Sequence, residues 1–521
     1  MKIEHFKAYN QIHTWTGIIS GIFLFICFVA GALTMFKMPL NQWALQESAT
    51  LPKIALADYD RLIQSVLHEY PEAQHEMTVH LPRAQPQSAP VSWLVEDHET
   101  HTSILWHASF NSNGELIAEQ ASVSGIGEFM DHLHRTAGIP GGTGHDAIGT
   151  YVMGIVAVLY FLALVSGLVI FLPSWIKDFL TLRRGKNQKR YWVDFHNVLG
   201  ITALPFHLVI ALTTIVFAYH DIFYDSLRSM VYQETPMFGR PPPQPPEQNF
   251  SDLASVQLLS DELQALEPGF EIAELRYSSL GSPRARLVVG GELDGGWIRG
   301  AHYAYAVSDP YTGEPGYTAM LPSQSGVMGK IVSGFFALHF GGFGGETVRW
   351  IYFGLGLSGA LLFLTGNILW IETRRKRRKD SDGVVREKQS TLVMARLTVG
   401  ACLGCLIGIV LAFICAKWLP HTRFDIASWQ KLAYYSGFLG AVAWAFLQSP
   451  LRAMKHLLAV LCVLLSLLVV SGFWQLSNSG ISSVELGVIV VVIMITGGLL
   501  ATLAHLRGRT VEMSASDSVW V

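Results

Sequence analysis

The chain has 521 residues, of which 50% are hydrophobic and only 15% charged, with a formal net charge of −3. Its apolar residues are gathered in runs of about 20, the length that spans a bilayer, which excludes an ordinary soluble enzyme. The acidic balance of its long connections argues against nucleic-acid partners, which need basic surfaces. The five cysteines all fall in apolar runs, so the external segments are not disulfide scaffolds.

In chain order, the apolar runs predict about eight transmembrane helices, at roughly 14–37, 150–173, 196–219, 347–371, 395–417, 430–447, 454–474 and 485–506. The first run is too long for a signal peptide and lacks a small-x-small cleavage site, so it reads as a retained helix. Basic segments mark the cytoplasmic side: RRGKNQKR at 183–190, RRKRRK at 374–379, Arg452 and Lys455 between the sixth and seventh runs, and Arg507 and Arg509 after the eighth. Both termini are then expected in the cytoplasm and the two long connections, about 38–149 and 220–346, outside. Those connections are acidic, with about 14 Asp/Glu against 4 Lys/Arg over 44–148 and about 15 against 7 over 221–346.

The expected fold is an α-helical membrane protein carrying two external α+β domains. In the first, Tyr59 to Tyr70 has the spacing of an amphipathic helix. Strand-like runs follow at Met77–Leu81, Val91–Glu96 and Ser103–Phe110, then an Asn113-Gly114 turn before Glu115–Glu119. The second repeats the order, with a helix over Asp252–Leu266, strands at Ile272–Tyr277, Ala285–Val289 and His302–Val307, and a Thr312-Gly313 turn. GRPPPQPPEQ reads as a polyproline-type linker before it. The first 371 residues therefore read as a parallel duplication, each half running span, external domain, Leu-His with glycines, span. The domain boundaries are a first helix to 37, a first external domain at 38–149, two helices with a basic cytoplasmic loop at 150–219, and a second external domain at 220–346. A fourth helix with a basic segment at 347–378, a four-helix membrane block at 395–506 and a cytoplasmic tail at 507–521 complete the chain. The last block carries little ionisable chemistry by this reading, and Cys402-x-x-Cys405 within it reads as small packing residues.

The informative residues are histidines. His13 and His196 each open a predicted span and share H-x-x-x-G, while His134 and His339 each follow a leucine and precede a glycine-rich stretch. Ionisable groups in a membrane are costly and usually functional, and imidazoles on facing helices suit a bis-histidine heme. One pair would face the inner leaflet and the other the outer. Gly17 and Gly200, one turn deeper than His13 and His196, would clear space for a flat macrocycle. The bland alternative for each is an interfacial histidine. Tetrahedral zinc fits poorly, because these histidines are separated by whole domains and lack accompanying cysteines or carboxylates. His207 has no counterpart in the first half. It stands eleven residues beyond His196, about 16 Å along a straight helix, and three roles are open: a ligand in place of His196, a relay or supporting group, or a core histidine. His98 and His101 are weak metal candidates. No P-loop, H-E-x-x-H or G-x-S-x-G motif is present, and GGFGGE precedes a membrane helix rather than a nucleotide-binding one. No helix-breaking pair of the kind that marks transporter sites is evident either.

The fragments QIHTWTGIISG, FMDHLHRTAG, LVSGLVIF, VDFHNVLGITALPFHLVIALTTIVF, VSDPYTGEPGY and ALHFGGFGG together resemble the PepSY-associated transmembrane family, over about residues 1–378. That resemblance, which extends to FoxB-like ferric-siderophore reductases of the bacterial inner membrane, implies periplasmic PepSY domains and heme b, two per chain. It carries the ligand expectation to His13, His134, His196, His207 and His339. The implied function is a heme-containing oxidoreductase passing electrons from a cytoplasmic reductase or quinol to a periplasmic ferric siderophore, with membrane lipids as its surroundings. The alternatives are a non-redox scaffold, a sensor or peptidase regulator, and an iron-chelate transporter.

Overall fold

A computed structural model describes residues 3–44, 51–82, 89–97, 102–121, 125–141, 147–183, 188–232, 249–293, 297–300, 303–375, 387–419, 426–479 and 483–509. The proline-rich linker, His98, His101, Gly142, Gly144, residues 184–187 and 376–379 of the two long basic runs and the tail from 510 lie outside these residues. The chain forms two compact units. Its helices are, in order, α1 Ile3–Thr34, α2 Lys37–Ala44, α3 Tyr59–Glu69, α4 Ile126–Thr136, α5 Ile148–Phe171, α6 Trp175–Asp178, α7 Gln188–Thr202, α8 Leu204–Ala218, α9 His220–Leu227, α10 Val256–Leu266, α11 Val327–Phe340, α12 Gly345–Arg374, α13 Gln389–Trp418, α14 Ile426–Leu447, α15 Pro450–Ser479 and α16 Ser483–Arg509. The strands are β1 Glu76–His80, β2 Val91–Asp97, β3 Thr102–Phe110, β4 Leu116–Ala121, β5 Glu271–Ser278, β6 Arg286–Glu292, β7 Ala304–Ser308 and β8 Pro315–Tyr317.

The first unit comprises residues 1–44, 124–219 and 352–521 and holds the long apolar helices. Among the described residues six are long and apolar enough to cross a membrane: α1, α5 continuing to Asp178, α12, α13, α15 and α16. Two predicted spans differ. The run at 196–219 is a bent pair, α7 and α8, meeting at 68°. Pro205 lies in the first turn of α8. It lacks an N–H and its ring clashes with the carbonyl four residues back, so the helix cannot run through it unbroken and breaks just before, at Ala203. The stretch at 430–447 lies in α14, which is not among the helices apolar enough to qualify. Gln430, Lys431 and a set of tyrosines and tryptophans dilute its apolar character.

Within this unit α13 and α14 pack through glycine. A Cβ at Gly400, Gly404 or Gly408 would come within 2.8, 2.9 and 2.7 Å of α14 backbone atoms. Small residues every four positions let two helix backbones approach closely where hydrophobic exclusion between helices is absent. Cys402 and Cys405 are buried in the same core, as packing residues would be.

The second unit, residues 45–123 and 220–351, is built on one sheet. Strand order is β4-β3-β2-β1-β5-β6-β7-β8, and every neighbouring pair is antiparallel. The predicted strands of both external segments thus share one sheet, joined where β1 pairs with β5 in the register Met77↔Tyr277 and Val79↔Leu275. The mirrored order is that of two four-stranded meanders meeting at their first strands, as a duplication requires. β8 is a short strand that the sequence pattern does not announce. Alternation decides the faces: Met77 and Val79 point into a core with Leu62, Val66, Leu259 and Leu263 of α3 and α10. Complete burial of such side chains contributes roughly 1.5–3 kcal/mol each.

The two halves also share turn chemistry. Asn111 Oδ1 accepts from the Asn113 and Glu115 amides, at 2.9 and 3.0 Å. Asp309 Oδ1 accepts from the Tyr311 and Thr312 amides, at 2.8 and 3.0 Å. Gly114 and Gly313 follow, both at φ +77°, where a side chain is strained. The halves are also stitched together: Asp60 Oδ1 of α3 accepts from the Val256 amide of α10 at 2.9 Å, satisfying an otherwise orphan donor at that helix start.

Candidate functional site: a histidine pair

Although His13 and His196 mark the start of apolar runs, both lie well inside their helices, because α1 begins at Ile3 and α7 at Gln188. The two come together with ring centroids 6.2 Å apart and planes at 73°. Each ring is held by one nitrogen. His13 Nδ1 lies 2.9 Å from the Ala163 carbonyl of α5, to which it can only donate. His196 Nδ1 lies 3.0 Å from Thr365 Oγ1 of α12, while that hydroxyl donates to the Leu362 carbonyl at 2.8 Å. With its proton committed to Leu362, the Thr365 oxygen accepts from Nδ1–H. Both imidazoles are therefore held as Nδ1–H tautomers, leaving the Nε2 lone pairs for a metal, the arrangement that outer-shell partners give to metal-binding histidines.

Glycines seat the rings. A Cβ at Gly167 would come within 2.9 Å of the His13 ring, and one at Gly366 within 3.5 Å of His196. Among the described residues a Cβ at Gly17 would meet nothing within 4 Å, and one at Gly200 would meet Leu362 at 3.5 Å. A metal-bound imidazole nitrogen lies about 2 Å from its metal and roughly 1 Å from its own ring centre. Two imidazoles on opposite sides of one ion are then about 6 Å apart between centroids, and ligation leaves rotation about that axis free. The pair fits a bis-histidine heme on these counts. Among the described residues no group of three or more His, Cys, Asp or Glu gathers as a bare-ion site.

Next to the pair, Asp194 is nearly fully buried and receives Arg183 in bidentate fashion, from Nε at 2.8 Å and Nη2 at 2.7 Å, together with the Arg183 amide at 3.0 Å. Bidentate guanidinium–carboxylate contacts fix orientation as well as position. They tie α7 to the preceding loop two residues before His196.

The other histidines stand apart from this pair. His134 lies in the last turn of α4, whose Ile126, Phe129, Met130 and Leu133 are buried. Its Nδ1 lies 3.0 Å from the Cys27 carbonyl of α1, and a Cβ at Gly31 would strike the ring. His339 likewise ends a helix, α11, in the second unit. Gly341 closes that helix at φ +67°, the left-handed cap that glycine adopts without strain. The apolar spacing within α4 and α11 was the available sign that both are helical.

His207 is fully buried in α8. Its Nδ1 lies 2.6 Å from the Tyr160 hydroxyl, and its Nε2 has no hydrogen-bond partner among the described residues. Phe28, Phe206 and Tyr160 surround it with ring centroids 5.5–6.1 Å away. The break at Ala203 bends α8 by 68° from α7, so His207 does not continue along the axis of the helix that carries His196.

Ala163, Thr365, Tyr160, Asp194 and Cys27 carry no local motif, and their roles emerge only from packing. The expectation of little ionisable chemistry in the last block is also corrected. Lys417 and Glu485 form an ion pair of 2.6 Å with both side chains at most 7% exposed. They lie on helices too far apart in sequence for pattern to link them.

No curated protein matches the chain. Residues 10–373 match the family described as the PepSY-associated TM region, well over half the chain, and the protein belongs to that family.

Proposed function

We propose that the protein is a heme-containing membrane oxidoreductase that carries electrons from a cytoplasmic reductase or the quinol pool to an external ferric siderophore. The observation that supports this reading most is the His13–His196 pair, whose 6.2 Å centroid separation and Nδ1 anchoring suit two histidines that would hold one heme between them. When bound there, heme b supplies an iron that alternates between ferric and ferrous states. The chain's own part is to fix two imidazole tautomers, exclude water and set the surrounding dielectric. One electron delivered to a ferric chelate gives Fe(II), which hard oxygen ligands hold more weakly, so the metal is released. A hydrocarbon core of about 30 Å calls for a second site nearer the outer face. We assign His134 to it, with His339 and His207 as the remaining candidate ligands of the chain. The inner bacterial membrane, cytoplasmic termini and an outward-facing sheet unit belong to the same reading.

The test is spectroscopic. Protein purified from heme-replete cells should be red, with a Soret band that shifts on adding dithionite and two hemes per chain by pyridine hemochrome. A colourless, iron-free preparation would leave the non-redox scaffold, sensor or peptidase-regulator reading. One observation favours another reading. The break at Ala203 places a helix start, α8, in the middle of an apolar run, and interrupted helices are used by transporters to bind substrate. Uptake of a ferric chelate by proteoliposomes without any reductant would support that transporter.

A further inference from the structure

Helices α13–α16 lie beyond the family match, which ends at residue 373, and their attachment to the rest of the first unit is specific. At one place Lys417 of α13 donates from Nζ to Glu485 Oε2 of α16 at 2.6 Å and to the Trp43 carbonyl of α2 at 2.9 Å. The same ammonium sits 4.6 Å from the centre of the Trp43 ring. Gly472 of α15 closes the site, since a Cβ there would come within 2.7 Å of Glu485 Oε1. At a second place Tyr435 of α14 donates its hydroxyl to the Gly138 carbonyl, just after α4, at 3.1 Å. Tyr434 packs its ring 5.6 Å from that of Phe129 of α4.

These contacts converge on α2 and α4, which are themselves linked where Asn41 Oδ1 accepts from the Gly127 amide at 2.8 Å. α4 thus has α1 against its His134 face and the appended helices against Phe129 and its C-terminal end. Its repeat counterpart α11 differs at its start: with His339 matched to His134, Ile331 takes the place of Ile126 and is 49% exposed, whereas Ile126 is fully buried.

We propose that the C-terminal helices are a fixed cover for the His134-bearing helix, clasped to α2 by the Lys417–Glu485 pair, and that this cover makes the two repeats unequal. An ion pair this deeply buried is costly unless every charge has its partner. Removing one charge should therefore loosen the clasp, whereas removing both need not. The inference does not depend on what His134 binds.

Hydrogen exchange on the full-length protein in nanodiscs, read together with maleimide labelling of Cys27 located by peptide mass spectrometry, tests the cover. Cys27 lies beneath α4, against His134. In the unaltered protein α4 amides should exchange at least tenfold more slowly than those of α11, with Cys27 unlabelled. Lys417→Met or Glu485→Gln should speed α4 exchange and Cys27 labelling by at least tenfold without changing α11. The double variant Lys417→Met/Glu485→Leu should return both towards the original rates. Tyr435→Phe keeps both charges and should raise α4 exchange severalfold, so it serves if a lone buried charge prevents assembly. Equal exchange of α4 and α11 in the unaltered protein would overturn the cover, as would α4 protection that survives each obtainable single variant.

Discussion

His196 Nδ1 rests 3.0 Å from Thr365 Oγ1, and Thr365 in turn donates to its own helix at Leu362. One hydroxyl therefore sets the tautomer of an imidazole that lies 169 residues away in the chain. Thr365→Val keeps the shape and removes the acceptor. Loss of an outer-shell partner of this kind typically weakens metal binding by about 10–100-fold, and heme retention through dilution and gel filtration should fall on that scale. Unchanged retention would show that Thr365 only packs.

His13→Ala and His196→Ala should each cost one heme of two, as should His339→Ala. The readout is hemochrome per mole of folded protein. If His13→Ala and His339→Ala both kept two hemes, the ligand assignment would fail. The same count should fall by one in His134→Ala, and in His207→Ala it separates a ligand from a supporting histidine.

Gly167→Ala tests the seat of His13. The added methyl would lie within 2.9 Å of the imidazole, so the ring must shift or α5 must move. Overpacking of this kind typically costs about 1–3 kcal/mol. The expected result is a broadened or shifted Soret band with the protein still folded. Gly17→Ala, where a Cβ meets nothing within 4 Å of protein, should leave the apo fold unchanged and act only on what occupies that space.

The sheet unit should weaken in acid. Burial, with smaller contributions from His107 and Arg276, lowers the His80 pKa from 6.5 to about 4. The unfolded chain then binds more protons between those values, so the stability from keeping His80 neutral is complete above pH 6.5 and is lost as pH falls towards 4. The full loss is on the order of 3 kcal/mol. Glu274 beside it, its pKa raised by burial, opposes part of this because its protonated form is favoured in the fold. Thermal melts of the sheet unit's signal should flatten between pH 4 and 6.5 in His80→Gln. A variant curve as steep as the original would place the acid sensitivity elsewhere.

Much of the architecture is written locally. Apolar run length picks out the long helices, and period-two alternation picks out seven of the eight strands, because both depend on residues within one or two turns of each other. Asx and glycine turn signals at 111–114 and 309–313 are equally local. α4 and α11 were harder to read, because their helical spacing is short and abuts glycine-rich stretches. The break at Ala203 was foreshadowed by Pro205, although a proline in an apolar run kinks a helix to a degree that its neighbours set.

The sequence by itself determined the membrane class, the family, the duplication and the five histidines worth naming, since composition, periodicity and matched motifs are properties of the chain alone. Only the tertiary structure decided that His13 faces His196 at 6.2 Å with both Nδ1 atoms held. It also decided that His134 leans on Cys27 and that Lys417 finds Glu485. Those relations join helices separated by 68 to 183 residues. They arise because buried polar groups must find partners wherever packing brings one within reach, a requirement that no local pattern encodes.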